Sequence, residues 1–319
     1  MKFPKTLLMT ALAVGFAGAA AVAQDYPADD VRLIVPFAPG GAVDTTTRII
    51  ADSANKLDLL GGGYEFVVEN ISNSIVGQAT VAREAPDGQT VLAMTSSIVT
   101  NPKLQETPFE LDDFRAVALY TLDPEVIAVP TDSEFETIED FIEAARSGEV
   151  STVTSAEGTS HHMSGLALEN RADLNLNIIN VPAFGEQVQQ VAGHHVQSAL
   201  WPWGEAKKQA DAGTVRILAV AARDRLEELP DVPTWEEAGL NVVEFATFRG
   251  WGVPADTPDE IVETLAEILG ELSQDEDYIS RMADLGSPVT YAGPEEFRQV
   301  IENFDELTTE IIENAGVAQ

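Results

Sequence analysis

Gly40 and Gly41 stand between an apolar run, Val31–Val35, and a segment in which Ile50, Ala54 and Leu57 recur at helical spacing. Two residues without side chains at a strand-to-helix turn bare backbone N–H groups where the helix dipole attracts an anion. The chemistry suggested is anion binding by amides, with Phe37, Ala38, Gly40 and Gly41 as ligand-facing candidates. Read alone, the glycine pair fits a merely tight turn equally well. Asp44 lies just beyond it, and a carboxylate beside a bound anion would repel it. Asp44 is therefore expected to cap the first helical turn and brace the loop.

Further polar groups follow the same layout. Thr95-Ser96-Ser97 comes after a strand starting at Thr90, and Gly158-Thr159-Ser160 precedes a helix. Both triplets fit hydroxyl donation to a ligand and also plain helix capping. His161 extends the second triplet and is expected as a ligand donor. The pairs His161-His162 and His194-His195 are poor chelators, because adjacent side chains diverge on a helix or strand. With no cysteine in the chain, no metal site is expected. Trp201, Trp203, Phe184 and Phe248 fit a cleft wall or a core, and Arg249 is a rare cation able to pair a second carboxylate. No catalytic residue and no cofactor are expected. The first loop lacks G-x-G-x-x-G and a P-loop lysine, and no G-x-S-x-G occurs.

The elements that must hold these groups alternate. Strands are predicted at 31–35, 65–68, 90–94, 114–119, 126–129, 152–154, 178–181, 197–200 and 215–220. Asp123-Pro124 separates the fourth from the fifth. Helices are predicted between them; that at 137–146 carries the Thr137/Asp140 capping-box pattern and ends at Gly148. Two long amphipathic helices close the chain, one through Ile261, Leu265, Ile268 and Leu272, the other from Phe297 to Ile311. Such alternation predicts an α/β fold of parallel sheets flanked by helices, and the length suits two lobes.

Composition sets the surroundings. The 319 residues include 18 basic and 53 acidic ones, a net charge of −35. That field excludes nucleic-acid partners, whose phosphates demand cations. The acids are dispersed, with twelve arginines but only six lysines, a pattern expected of a protein adapted to high salt. Lys2 and Lys5, the apolar stretch 7–18 and Ala21-Val22-Ala23 form a secretory leader pattern. Cleavage after Ala23 would release a free periplasmic protein, with 16 basic against 53 acidic residues, or −37.

Several segments together resemble one family: "YPADDVRLIVPFAPGGAVD" (26–44), "APDGQTVLAMTSS" (85–97), "NPKL" (101–104), "GTSHH" (158–162), "LPDVPTWEEAGL" (229–240) and "RGWGVPADTPDEIVETL" (249–265). Their order and spacing are similar to the periplasmic solute-binding proteins of tripartite tricarboxylate transporters, the TctC/Bug family. The resemblance implies a two-lobed periplasmic-binding-protein-like fold with a ligand cleft between lobes 24–124 plus 249–319 and 125–248. It implies a small organic carboxylate held largely by backbone amides, and one large and one small transmembrane subunit as partners; the protein itself is expected to be a monomer. One loop departs from the family: residues 72–77, "SNSIVG", lack the usual glycines. Ser72 and Ser74 are candidate side-chain donors in their place, a solvated turn being the other reading. Rival functions are a ligand-presenting sensory protein and, more remotely, an α/β enzyme.

Overall fold

A computed structural model describes residues 26–242 and 244–315; the leader expected at 1–23 lies outside them. The first sheet gathers β1 (Val31–Val35), β2 (Phe66–Asn70) and β3 (Thr90–Thr95) in parallel, in the order β2-β1-β3. Between them run α1 (Ala42–Lys56) and α2 (Ser74–Ala82), and α3 (Ser97–Leu104) follows β3. The second sheet repeats the scheme with β5 (Val150–Thr154), β6 (Leu176–Asn180) and β7 (Ser198–Pro202), parallel in the order β6-β5-β7. Its helices are α4 (Ile138–Ser147), α5 (Ser160–Ala172), α6 (Phe184–Ala192) and α7 (Trp203–Asp211), with β8 (Val215–Val220) closing the edge.

One strand spans both sheets. β4 (Phe114–Pro130) pairs antiparallel with β9 (Ala246–Pro254) over its first part, then with β7 and β8 from Glu125 onward. β4 is thus one strand of 17 residues where two were predicted, and it runs straight through Pro124. Proline is tolerated there because the strand changes partners at that point: Glu125 N–H already donates to the Phe245 carbonyl. The chain ends in α8 (Asp259–Leu272), α9 (Glu276–Asp284) and α10 (Pro294–Ala315). The sequence reading left out α9, a nine-residue helix that buries Tyr278 and Met282 one turn apart.

Each sheet face has its own core. On one face of the first sheet, Leu33, Val91, Tyr120 and Trp251 meet α1, α8 and α9. On the other, Leu92, Met94, Leu119 and Phe248 meet α10, where Phe248 stacks edge-on against Phe297 and Phe304. A third core, with Val126, Val153 and Trp201, lies under α6 and α7. The Thr137 hydroxyl and Asp140 carboxylate make both bonds of the capping box at α4. No helix among the described residues is long and apolar enough to cross a membrane. The architecture is a two-lobed α/β fold, parallel in its outer strands and antiparallel where β4 runs beside β9.

Candidate ligand-binding site

The loop after β1 is built around Asp44. Gly40 adopts φ +86°, a conformation that suits glycine, and its N–H donates to Asp44 Oδ2 at 2.8 Å. Asp44 Oδ1 accepts from Asn70 Nδ2 at 2.8 Å and pairs with Arg48 at 3.0 Å. Asn70 also donates to the Phe37 carbonyl, so the loop is stapled to the end of β2. Asp44 therefore reaches back to Gly40, one residue before the Gly41 N-cap, and caps no amide of the first turn itself. Burial raises its carboxyl, but the bonds from Arg48, Gly40 and Asn70 outweigh this and hold it below the ordinary carboxylate range.

What remains bare is the helix start. The N–H groups of Gly41, Ala42 and Val43 meet no acceptor among the described residues, and residues 38–42 are exposed. Gly41 itself has ordinary backbone angles, φ −75° and ψ 171°, and an added Cβ would meet only the Ala38 carbonyl oxygen, at 3.8 Å. The fold does not require glycine there.

The neighbouring hydroxyls are tied into a network. Thr95 Oγ1 lies 2.9 Å from Ser97 Oγ, which accepts from Gln78 Nε2; Asn101 Nδ2 donates to Gln78 Oε1 and to Ser74 Oγ. Ser96, the N-cap of α3, is buried and makes no side-chain cap bond. Ser72 is exposed, while Asn73 accepts from the Val76 N–H as the N-cap of α2.

From the second sheet, α5 brings Thr159 and its neighbours. Gly158, at φ +79°, packs so close to Leu104 of α3 that a Cβ would crowd it. Thr159 caps α5, Ser160 Oγ lies 2.5 Å from Thr247 Oγ1 on β9, and His161 Nδ1 lies 2.8 Å from Glu125 Oε1 on β4. Burial pulls the His161 imidazole down, but the charge and hydrogen bond of Glu125 more than restore it, leaving it above its usual range. α7 starts against the same strands: Gly204 N–H donates to Asp123 Oδ1 at 3.1 Å. Burial pushes the Asp123 carboxyl up to about 7, with Arg249 and the Gly204 N–H opposing and Glu125 and Glu205 adding. Arg249, in register with Thr95 and Thr121, is 5% exposed, and its Nε has no partner.

The starts of α3, α5 and α7 therefore stand beside the paired strands β4 and β9, along which Asp123, Glu125, Thr247 and Arg249 lie. The aromatic candidates stand elsewhere. Phe248 alternates with Thr247 and Arg249 and so faces α10, lining a cavity of about 370 Å³ on the far side of the crossing strands. Trp201 is 1% exposed, packed edge-on against the half-buried Phe184, and donates to Gln187. Trp203 donates to Glu228 and lies under Lys207. Both tryptophans are buried and satisfy their N–H inside the protein, as the core reading of the two asks. His162 accepts from the Gly158 N–H, and among the described residues no three His, Asp or Glu side chains gather for a metal.

Sequence reasoning missed Asp123 and Glu125. Two acids at i and i+2 in an otherwise apolar strand share one face, and that spacing was the available signal. Gln78, Asn101 and Thr247 gave none.

Residues 47–317 match the model of the tripartite tricarboxylate transporter family receptor, TctC. The chain belongs to that family. A relative from Pseudomonas sp. (strain P51), the UPF0065 protein in the tcbD-tcbE intergenic region, is 31% identical over 91% of this chain and 89% of its own length. The structure of a TctC solute-binding protein from Polaromonas superposes with a TM-score of 0.80, at 25% identity, covering 90% of this chain and 99% of that one. A protein of R. palustris solved with adipate gives 0.78 at 24% identity, covering 92% and 99%. The family and the fold are those of TctC solute-binding proteins.

Proposed function

We propose that this TctC-family protein works in the periplasm, capturing a small organic carboxylate between lobes 24–124 plus 249–319 and 125–248. It then delivers the ligand to the large and small transmembrane subunits of a tripartite tricarboxylate-type transporter. One observation carries the reading: at the exposed start of α1, the amides of Gly41, Ala42 and Val43 meet no acceptor among the described residues. In a chain of net charge −35, amides and helix dipoles supply local positive potential with few cations. Adipate in the R. palustris relative supports the ligand class. Gly41, Ser97, Ser160 and His161 are the leading contacts, and Asp44 acts as the brace that shapes the first loop.

A thermal-shift panel in molar salt, comparing mono-, di- and tricarboxylates with neutral sugars and amines, tests the reading. A carboxylate at one hundred times its Kd adds about 2.7 kcal/mol of stability, a shift of several degrees. A midpoint raised by sugars or amines and by no carboxylate would contradict it.

A further inference from the structure

Two serines open two helices at one edge of the first sheet. β1, β2 and β3 run parallel, so their carboxyl ends lie side by side, and α1, α2 and α3 all start there. Ser74 is the first residue of α2 and Ser97 the first of α3. α2 stands hard against the end of β1: a Cβ on Gly77 would come within 2.7 Å of the Pro36 side chain. Ser74, one turn earlier in α2, is thereby carried close to the loop that leads into the bare amides of Gly41, Ala42 and Val43.

Each serine has an amide at its back. Gln78 Nε2 donates to Ser97 Oγ at 2.9 Å, and Asn101 Nδ2 donates to Ser74 Oγ at 3.2 Å. Asn101 Nδ2 also donates to Gln78 Oε1 at 2.8 Å, which couples the two buried amides. Turning either one over alone would set two NH2 groups or two oxygens face to face. Thr95 Oγ1 lies 2.9 Å from Ser97 Oγ and accepts the Ser97 backbone N–H at 3.4 Å. These two hydroxyls share one proton in their mutual bond and have one to spare. Ser97 is half-buried and Thr95 buried, so the spare proton is assigned to Ser97. The lone pairs of Ser97 Oγ are then filled by Gln78 and Thr95, and its proton points away from them. Ser74 Oγ likewise accepts from Asn101, and its proton meets no acceptor among the described residues.

Resting on the carboxylate reading above, we propose that Gln78 and Asn101 are positioning residues that set the polarity of the site. By donating to Ser97 and Ser74 they turn both serine protons outward, and the two hydroxyls join the bare amides of α1 in holding the carboxylate. Backbone N–H and serine O–H donors then line one sheet edge, a pattern that an anion accepts without any nearby cation.

Calorimetric titrations in molar salt with acetate, benzoate, succinate, adipate and citrate test this, and the tightest-binding acid of the five is carried into the variants. Ser74→Ala and Ser97→Ala should each weaken it about tenfold or more, with little change in melting temperature. Gln78→Glu keeps the length of the side chain but can only accept, so Ser97 must turn its proton inward. Affinity should again fall about tenfold or more. Repeating Gln78→Glu on Ser97→Ala separates this from the added charge, because no serine proton is left to turn. There the substitution should cost about twofold or less. Should Gln78→Glu fail to fold, the neutral Gln78→Met replaces it, with a loss expected beside Ser97 and none on Ser97→Ala. Equal losses in the two backgrounds, or no loss in either, overturn the role of Gln78 while carboxylate capture stands. An unchanged affinity in Ser74→Ala overturns the Asn101–Ser74 half. Binding of none of the five acids by the wild type overturns both this proposal and the reading beneath it.

Discussion

Gly40 and Gly41 are neighbours with different reasons to be glycine. At φ +86°, Gly40 sits where a side chain is strained, and its N–H is spent on Asp44. Gly41 has a backbone any residue adopts and open space around its Cβ. The fold therefore places no demand on its missing side chain, and the proposed ligand does. Gly41→Val should leave the melting temperature within about 2 °C and abolish carboxylate binding, whereas Gly40→Val should cost about 1–2 kcal/mol in a melt. Asp123 offers a second residue-scale test. A raised carboxyl means the folded state holds the proton more tightly, so stability should fall as pH rises from about 4 through about 7. His161, also raised, adds loss on the alkaline side of that window. Melts of Asp123→Asn should show a shallower decline; an unchanged slope contradicts the assignment. At this scale the glycine loop before α1 and the place of Asp44 beside it were legible, because glycines and a lone acid at a helix start are local signals. The sequence hid the row of Asp123, Glu125, Thr247 and Arg249, whose members lie up to 126 positions apart and meet only through the pairing of β4 with β9.

Elements with local rules were legible and elements made by long-range pairing were not. The α4 capping box and the glycine at its end needed only neighbours, and both occur as expected. β9 is a buried strand bearing Arg249 and two glycines, and only its pairing with β3 and β4 makes it one. The two glycines of that strand admit Met94 and Phe297, which a Cβ would displace. A closer approach joins helix to loop across the crossing: a Cβ on Gly204 of α7 would land on the Gly286 carbonyl, and one on Gly286 on the Gly204 carbonyl. Gly204→Ala should therefore force the start of α7 away from the loop after α9 and cost about 1–3 kcal/mol or more in chemical denaturation. Scattering should show a larger radius of gyration. A variant with wild-type stability and dimensions would contradict this packing.

The whole molecule carries 53 acids against 18 basic residues, and most of its ion pairs lie on exposed side chains worth little apiece. Self-repulsion among the acids outweighs those pairs, and salt screens it within a Debye length of about 3 Å at 1 M. The melting temperature should therefore climb steadily from low to molar salt; a flat response contradicts adaptation to high salt. The same charge makes the ligand class a demanding test, since an anion must enter against the mean field. Two lobes and strand–helix alternation were readable from the length and the pattern, but the interleaving of the two sheets through β4 and β9 was not, because periodicity carries no register. The most direct test of anion capture is a calorimetric titration in molar salt with a carboxylate that binds and its neutral carboxamide analogue. Capture by bare amides requires saturable binding of the carboxylate and at least about a hundredfold weaker binding of the amide. Equal affinity for the two would contradict it.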